Sequence, residues 1–298
     1  MPHPPSLLNR FILHPLQAVA VAAGYALFSL LPLDLASALG GWLGRTIGPR
    51  LTVSERAEKN LKRTFPEIEQ TELTAIVIGM WDNLGRTVAE YVHLGRLDTC
   101  GSPDRFEFIG DEYVEQLRED GKPGILFSGH FANWEILPLS MSQRGLPADL
   151  VYRAANNRFL EWLYTYRRSA AKGTLIPKGA RGARQLLQAV KDGKHLGILV
   201  DQKMNDGIPV PFLGREAMTA PAIAELALRF DCPVAPCRVE RLEGARFRIS
   251  VLPPMEIERS GDHQADVSAF MTKVNACIED WVRDRPEQWL WLHNRWSD

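Results

Sequence analysis

The sequence predicts an α/β protein: a mostly parallel central sheet flanked by helices, with an N-terminal helical membrane-associated segment in front. Three observations carry that expectation. After Phe106, apolar runs of strand length alternate with stretches of helical period. One run, Gly124-Ile-Leu-Phe-Ser128, is apolar without alternation, as a strand covered on both faces requires. At the other end of the chain, Leu16 to Leu33 carries no charge and is close to the roughly 20 residues that cross a bilayer. With 298 residues, 45% hydrophobic and 24% charged, the chain is long enough to bury a large core. The expected organisation is a hydrophobic anchor or helical hairpin over 1–50 and a catalytic domain over 51–298, divided into a helical layer (51–100) and an α/β core (101–298).

The charge-free stretch contains Pro32, and apolar sequence continues through Ala36-Ser-Ala-Leu-Gly-Gly-Trp-Leu-Gly44 without a cleavage site, so a retained anchor is expected rather than a signal peptide. Only Arg10 precedes it. Arg45, Arg50, Arg56, Lys59, Lys62 and Arg63 follow it, which places the downstream domain on the cytoplasmic side. The competing arrangement is a helical hairpin lying in the interface or packed on the domain. Ala57, Leu61 and Phe65 recur at four-residue spacing before Pro66, marking one helix, and a second is expected from about Glu72 to Leu94. Strands follow near 106–110, 124–128, 148–152, 173–176, 195–200, 233–239 and 246–251, with helices near 111–120, 134–143, 157–171, 181–192, 219–230 and 264–284.

The chemistry is expected where the 124–128 strand ends. Phe127-Ser-Gly-His-Phe-Ala-Asn-Trp-Glu135 puts His130 at a strand's carboxyl end, where open α/β sheets place ligands. His130 and Glu135 are five positions apart, roughly 140° around an ideal helix, so they meet only if His130 lies on the turn before the helix. A carboxylate held against an imidazole sets its tautomer and raises its basicity, which suits a general base taking a proton from an alcohol. Asn133 is the expected N-cap of the helix, whose N-terminus offers amide donors to an oxyanion.

Gly129-His-Phe-Ala-Asn-Trp-Glu135 resembles the histidine and acid signature of the lysophospholipid acyltransferase superfamily, in the wording of the bacterial lipid A late acyltransferases (lauroyl and myristoyl transferases). Asn60-Leu-Lys-Arg-Thr-Phe-Pro66 and Trp81-Asp-Asn-Leu-Gly-Arg-Thr-Val-Ala-Glu-Tyr91 resemble the same family, and the likeness runs from roughly Ser54 to Phe230. Three further constellations fall inside it. Val151-Tyr-Arg-Ala-Ala-Asn-Asn157 sets Arg153 after a strand, with Asn156 and Asn157 before a helix, so that a guanidinium fork and a helix N-terminus face one anion. Arg167, Arg168 and Lys178 fall on and after that helix, within reach of phosphates on an acceptor or carrier. Gly197-Ile-Leu-Val-Asp201-Gln202 ends a strand in an acid and an amide, placed to align basic residues or an acceptor hydroxyl; Phe212-Leu-Gly214 and Thr219 follow, the last as a helix N-cap.

Net charge is -1, but from Arg144 to Arg184 nine basic residues stand against two acids, a local net of +7, which calls for an anionic partner. Cys100, Cys232, Cys237 and Cys277 have neither metal-ligand nor disulfide-framework spacing and are expected to be free thiols. Trp281, Trp289, Trp291 and Trp296 suit either a lipid interface or a packed terminal segment. There is no G-x-S-x-G elbow, P-loop, G-x-G-x-x-G after a strand or H-E-x-x-H, so hydrolase, nucleotide-binding, dinucleotide-binding and zincin chemistries lack their residues.

The resemblance implies a membrane-associated O-acyltransferase that moves a fatty acyl chain from an acyl thioester on acyl carrier protein to a hydroxyl of a lipid A precursor. In that scheme His130 and Glu135 are catalytic. Arg153, Asn156, Arg167, Arg168, Lys178, Asp201 and Gln202 bind substrates, no cofactor, metal or nucleic acid takes part, and the site lies on the cytoplasmic face of a bacterial inner membrane. Acylation of another glycolipid or of an ornithine-type lipid is the first alternative. A membrane-docked lipid-binding protein without catalysis is the second.

Overall fold

The computed structural model describes residues 13–152, 157 and 171–296. Its first helix, α1 (His14–Ser29), ends before Pro32, and α2 (Leu33–Ile47) starts just after it, because a proline ring cannot continue the amide ladder of the preceding turns. The expected single span over Leu16–Leu33 is therefore two consecutive helices, and among the described residues no helix is long and apolar enough to cross a membrane. The helices α3 (Ser54–Thr64) and α4 (Gln70–Glu90) follow, with Ala57 and Leu61 fully buried as their spacing requires. A 3₁₀ stretch, Tyr91–Arg96, takes the place of the last turn expected of α4.

Glycine decides how α2 meets α4. A Cβ on Gly44 would collide with the Trp81 carbonyl, and one on Gly85 with the Gly40 carbonyl, so the two backbones touch directly.

The strands are β1 (Phe106–Ile109), β2 (Ile125–Ser128), β3 (Ala148–Tyr152), β4 (Leu175–Pro177), β5 (His195–Leu199), β6 (Ile208–Phe212), β7 (Arg215–Thr219), β8 (Val234–Arg241) and β9 (Phe247–Val251). Seven of them form one sheet in the order β1-β9-β8-β2-β5-β3-β4, parallel at every pairing except β8 with β9. All four residues of β2 are buried. Alternation sends Ile125 and Phe127 into a core with α3, α4, α8 (Ala222–Phe230) and α9 (His263–Asp284). Leu126 points the other way, into a core with α5 (Asp111–Glu119) and α6 (Ile136–Gln143). The last helix of the domain, α9, is capped by Asp262, whose side chain accepts from the amides of Gln264 and Ala265. The other described helix is α7 (Ala180–Lys191); the helix expected near 157–171 lies outside the described residues except at its two ends.

The hairpin of β6 and β7 was not expected, because Pro209 and Pro211 demote a run as a strand. Both prolines fall on its exposed face, while Val210 and Phe212 are buried. Leu213 and Gly214, at φ 51° and 75°, make the tight two-residue turn. The four tryptophans Trp281, Trp289, Trp291 and Trp296 are 5%, 1%, 0% and 5% exposed, so they are packed and do not anchor in lipid.

Gly85→Leu is expected to force α2 off α4 and lower Tm by several degrees, since overpacking costs about 1–3 kcal/mol. Gly95→Leu, with nothing within 4 Å of its added Cβ, should leave the melting curve nearly unchanged. Thermal denaturation of the two variants checks the close approach.

Candidate active site

The register of β2 against β5 builds the site. Ser128 pairs with Leu199, and the Val200 amide donates to the Ser128 carbonyl at 2.9 Å, so two residues further on His130 and Asp201 face each other at the carboxyl ends of adjacent strands. The His130 Nδ1 lies 2.8 Å from Asp201 Oδ1, and the His130 backbone amide donates to Oδ2 at 2.7 Å. The indole N–H of Trp289 donates to the same Oδ2 at 2.8 Å. Gly129 makes this possible, because a Cβ there would stand 3.1 Å from Asp201 Oδ2 and 2.8 Å from the Phe131 ring.

Asp201 is 1% exposed. Burial alone would push its carboxyl up, but the His130 ring, the neighbouring His293 and the hydrogen bonds to His130 hold it well below the usual carboxylate range. An ionised carboxylate only accepts, so Nδ1 of His130 carries a hydrogen toward it. The other face of the ring meets aromatic walls: Trp134 lies edge-on at 4.9 Å between centroids and His293 at 4.8 Å. On the far side, Gln202 brings its Nε2 within 3.3 Å of His130 Nε2 and 3.4 Å of His293 Nε2, and its Oε1 accepts from Lys178 Nζ at 3.0 Å.

The expected pairing of His130 with Glu135 is corrected here. His130 does lie on the turn before the helix, but its Nδ1 belongs to Asp201, which reaches it from the adjoining strand. Glu135 is 5% exposed, sits one residue before α6, and its Oε1 accepts from the Trp134 indole at 3.2 Å. It lines a largely apolar cleft walled by Leu126, Trp134, Leu137, Leu150 and Gly197. Asn133 is not an N-cap, since α6 starts at Ile136 with no side-chain cap; its Nδ2 donates instead to Glu90 Oε2 at 2.8 Å. Nor is Thr219, the last residue of β7, whose hydroxyl donates to the Ala217 carbonyl and accepts from Arg295.

Of the expected substrate-binding residues, Lys178, Asp201 and Gln202 converge on His130, whereas Arg153, Asn156, Arg167 and Arg168 lie outside the described residues. Asn157 donates to the His14 carbonyl at the start of α1. At the near end of the basic segment, Arg144 pairs with Asp111 at 2.9 Å and stacks on Phe108, so that charge is part of the scaffold. Sequence reasoning assigned His293 no role and Trp289 only a packing or interface one: only the folded chain returns its C-terminal segment to the turn, where Leu290 donates to the His130 carbonyl and Trp289 bridges Phe131.

Among the described residues, no group of three or more His, Cys, Asp and Glu side chains is placed to hold a metal ion. The thiols buried at Cys232 and Cys237 and half-buried at Cys277 are poor nucleophiles, since burial pushes Cys232 up to about 11 and Cys237 and Cys277 up to about 12.

Residues 9–298 match the model of the bacterial lipid A biosynthesis acyltransferases. The chain belongs to that family. It is 27% identical to the lipid A biosynthesis lauroyltransferase of Escherichia coli over 80% of this chain and 77% of that protein. It is 26% identical to the lipid A biosynthesis myristoyltransferase of the same organism, over 92% and 84%. The solved 1-acyl-sn-glycerophosphate acyltransferase PlsC of Thermotoga maritima overlays at a TM-score of 0.40 with 11% identity, covering 89% of this chain and 98% of that one. As a member of the family the protein is an acyltransferase, and its α/β core with a mostly parallel sheet carries His130 at a strand end.

Two outcomes follow for this acyltransferase. Asp201→Asn should lower kcat by about two to four orders of magnitude with little change in KM, because the amide no longer settles which ring nitrogen holds the hydrogen. Steady-state kinetics checks it. Burial lowers His293 to about 4. Its folded value lies below its unfolded one, so it costs nothing above about pH 6.5 and lowers stability progressively from there to about pH 4, by on the order of 2–3 kcal/mol. His293→Gln should flatten that part of the stability curve, measured by chemical denaturation at stepped pH.

Proposed function

We propose that this acyltransferase moves a fatty acyl chain from an acyl thioester, carried on acyl carrier protein, to a hydroxyl of a lipid A precursor, with His130 as general base. The observation that carries this is the His130 ring itself: its Nδ1 is tied to a buried carboxylate, which leaves Nε2 as the nitrogen to take a proton, and it packs on Trp134, which lines an apolar cleft. The acceptor hydroxyl gives its proton to Nε2 as its oxygen attacks the thioester carbonyl carbon. The tetrahedral adduct collapses, the C–S bond breaks, and the imidazolium returns the proton to the departing thiolate, leaving an ester. No acyl-enzyme is needed, consistent with the buried Ser128 and the raised thiols. Glu135 serves through Trp134, holding the indole that packs against His130.

The acceptor is a membrane lipid, and the helical layer suits such a surface. Leu16, Val19, Leu27 and Leu30 of the α1 region and Leu35, Trp42 and Ile47 of α2 are all at least half exposed. Such helices lie in the plane of an interface, here the cytoplasmic face of the inner membrane. The basic segment, with Arg153, Asn156, Arg167 and Arg168 within it, binds the acidic carrier or the acceptor phosphates.

His130→Ala is expected to cut turnover by about two to four orders of magnitude while leaving the melting curve in place. With wild-type enzyme, initial rates should show both substrates bound together. Near-normal turnover in the variant, or acyl label trapped on Ser128 or a cysteine, would replace this scheme.

A further inference from the structure

A base beside a buried carboxylate has a difficulty. The ionised Asp201 favours a positive charge on the imidazole it touches, and an imidazolium has no lone pair to accept a substrate proton. Something must weigh against that pull if His130 is to rest in its accepting form.

The far side of the ring carries such a counterweight. The ammonium of Lys178 has hydrogens only to give, so the oxygen of Gln202 turns toward it, at 3.0 Å, and the amide NH₂ is forced to the opposite side. That NH₂ lies between two imidazoles, 3.3 Å from His130 Nε2 and 3.4 Å from His293 Nε2. Facing lone pairs, it donates to both rings. Facing N–H groups, it would meet hydrogens with hydrogens. His293, half-buried and held neutral, leaves its Nε2 on the same terms. Among the described residues, the titratable and charged groups around the pair are Asp201 after β5, Lys178 after β4 and His293 from the C-terminal segment. Further out are Glu135 behind Trp134, Arg56 of α3 beside His293, and Arg295, whose charge reaches Asp201.

We propose that Lys178 and Gln202 are positioning residues that keep His130 neutral, with its Nε2 lone pair open to the acceptor proton, against the pull of the buried Asp201 carboxylate. This rests on the general-base assignment above. It gives Lys178 a task other than gripping a phosphate. With Lys178 gone, the amide is free to turn its oxygen toward Nε2, where it accepts from an imidazolium. The lost ammonium charge acts in the same direction, so both changes favour the protonated ring. Asp201→Asn acts in the opposite direction.

The test uses full-length protein in detergent micelles with ¹⁵N-labelled histidine. The imidazole shifts of His130, assigned with His130→Gln, report its protonation in the resting enzyme, and the acid limb of kcat/KM reports it in turnover. Lys178→Met is expected to move the His130 midpoint and the acid limb upward by about one pH unit. Gln202→Glu, which places a carboxylate against the rings, should move both further. Lys178→Arg, which keeps a cationic donor, should restore the wild-type midpoint. Asp201→Asn should move the midpoint down. A Lys178→Met enzyme whose midpoint is unmoved, with only KM for the anionic carrier or phosphorylated acceptor raised, overturns the proposal and makes Lys178 a substrate contact. A midpoint that moves as expected in the resting protein supports it even where the acid limb stays still; in that case the general-base assignment fails instead.

Discussion

The hydrogen-bond cluster on Asp201 is the interaction on which the rest of the site depends. One carboxylate, removed from solvent, accepts from the His130 ring, the His130 amide and the Trp289 indole. It thereby joins the ends of two parallel strands to a C-terminal segment far away in sequence. Each donor offsets part of the cost of burying the charge, so loss of any one is felt by the others. The same cluster settles a chemical question, which nitrogen of His130 holds the hydrogen, by a geometric device, the register of β2 on β5.

The turn that presents His130 is itself held in an unfavourable shape. Ala132 has φ 43°, a region that a residue with a Cβ seldom occupies, and it is fully buried. Its amide donates to the Gln288 carbonyl, and its own carbonyl accepts from Thr87 and Asn83 of α4. Behind these stands a buried ion pair: Arg241 of β8 grips Glu90 of α4 at 2.5 and 3.0 Å, and Glu90 also accepts from Ser37 of α2 and Asn133 of the turn. Removing one partner of such a pair leaves an uncompensated charge, at a cost of about 3–5 kcal/mol. The helical layer, to which the sequence lent no chemistry, thus braces the strained turn from below and faces outward with its exposed apolar residues.

Much was legible in the sequence because the signals were local. The seven strands of the main sheet follow from runs of apolar residues punctuated by glycine and proline, and the place of His130 follows from the rule that ligands gather at the carboxyl ends of parallel strands. The hairpin at 208–219 escaped because its prolines sit on the exposed edge, where no ladder bond is lost.

What the sequence determined by itself was the class of fold, the position of the imidazole and the family. Those depend on periodicity, chain direction and a short motif, all carried by neighbours in the chain. Which carboxylate serves His130 depended instead on strand order. Glu135 is near in sequence, whereas Asp201 is near in space, because β5 lies beside β2. The roles of His293 and Trp289 depended likewise on where the C-terminal segment returns. Contacts between residues so far apart arise only when the sheet has chosen its neighbours, and that choice is made by packing over the whole core.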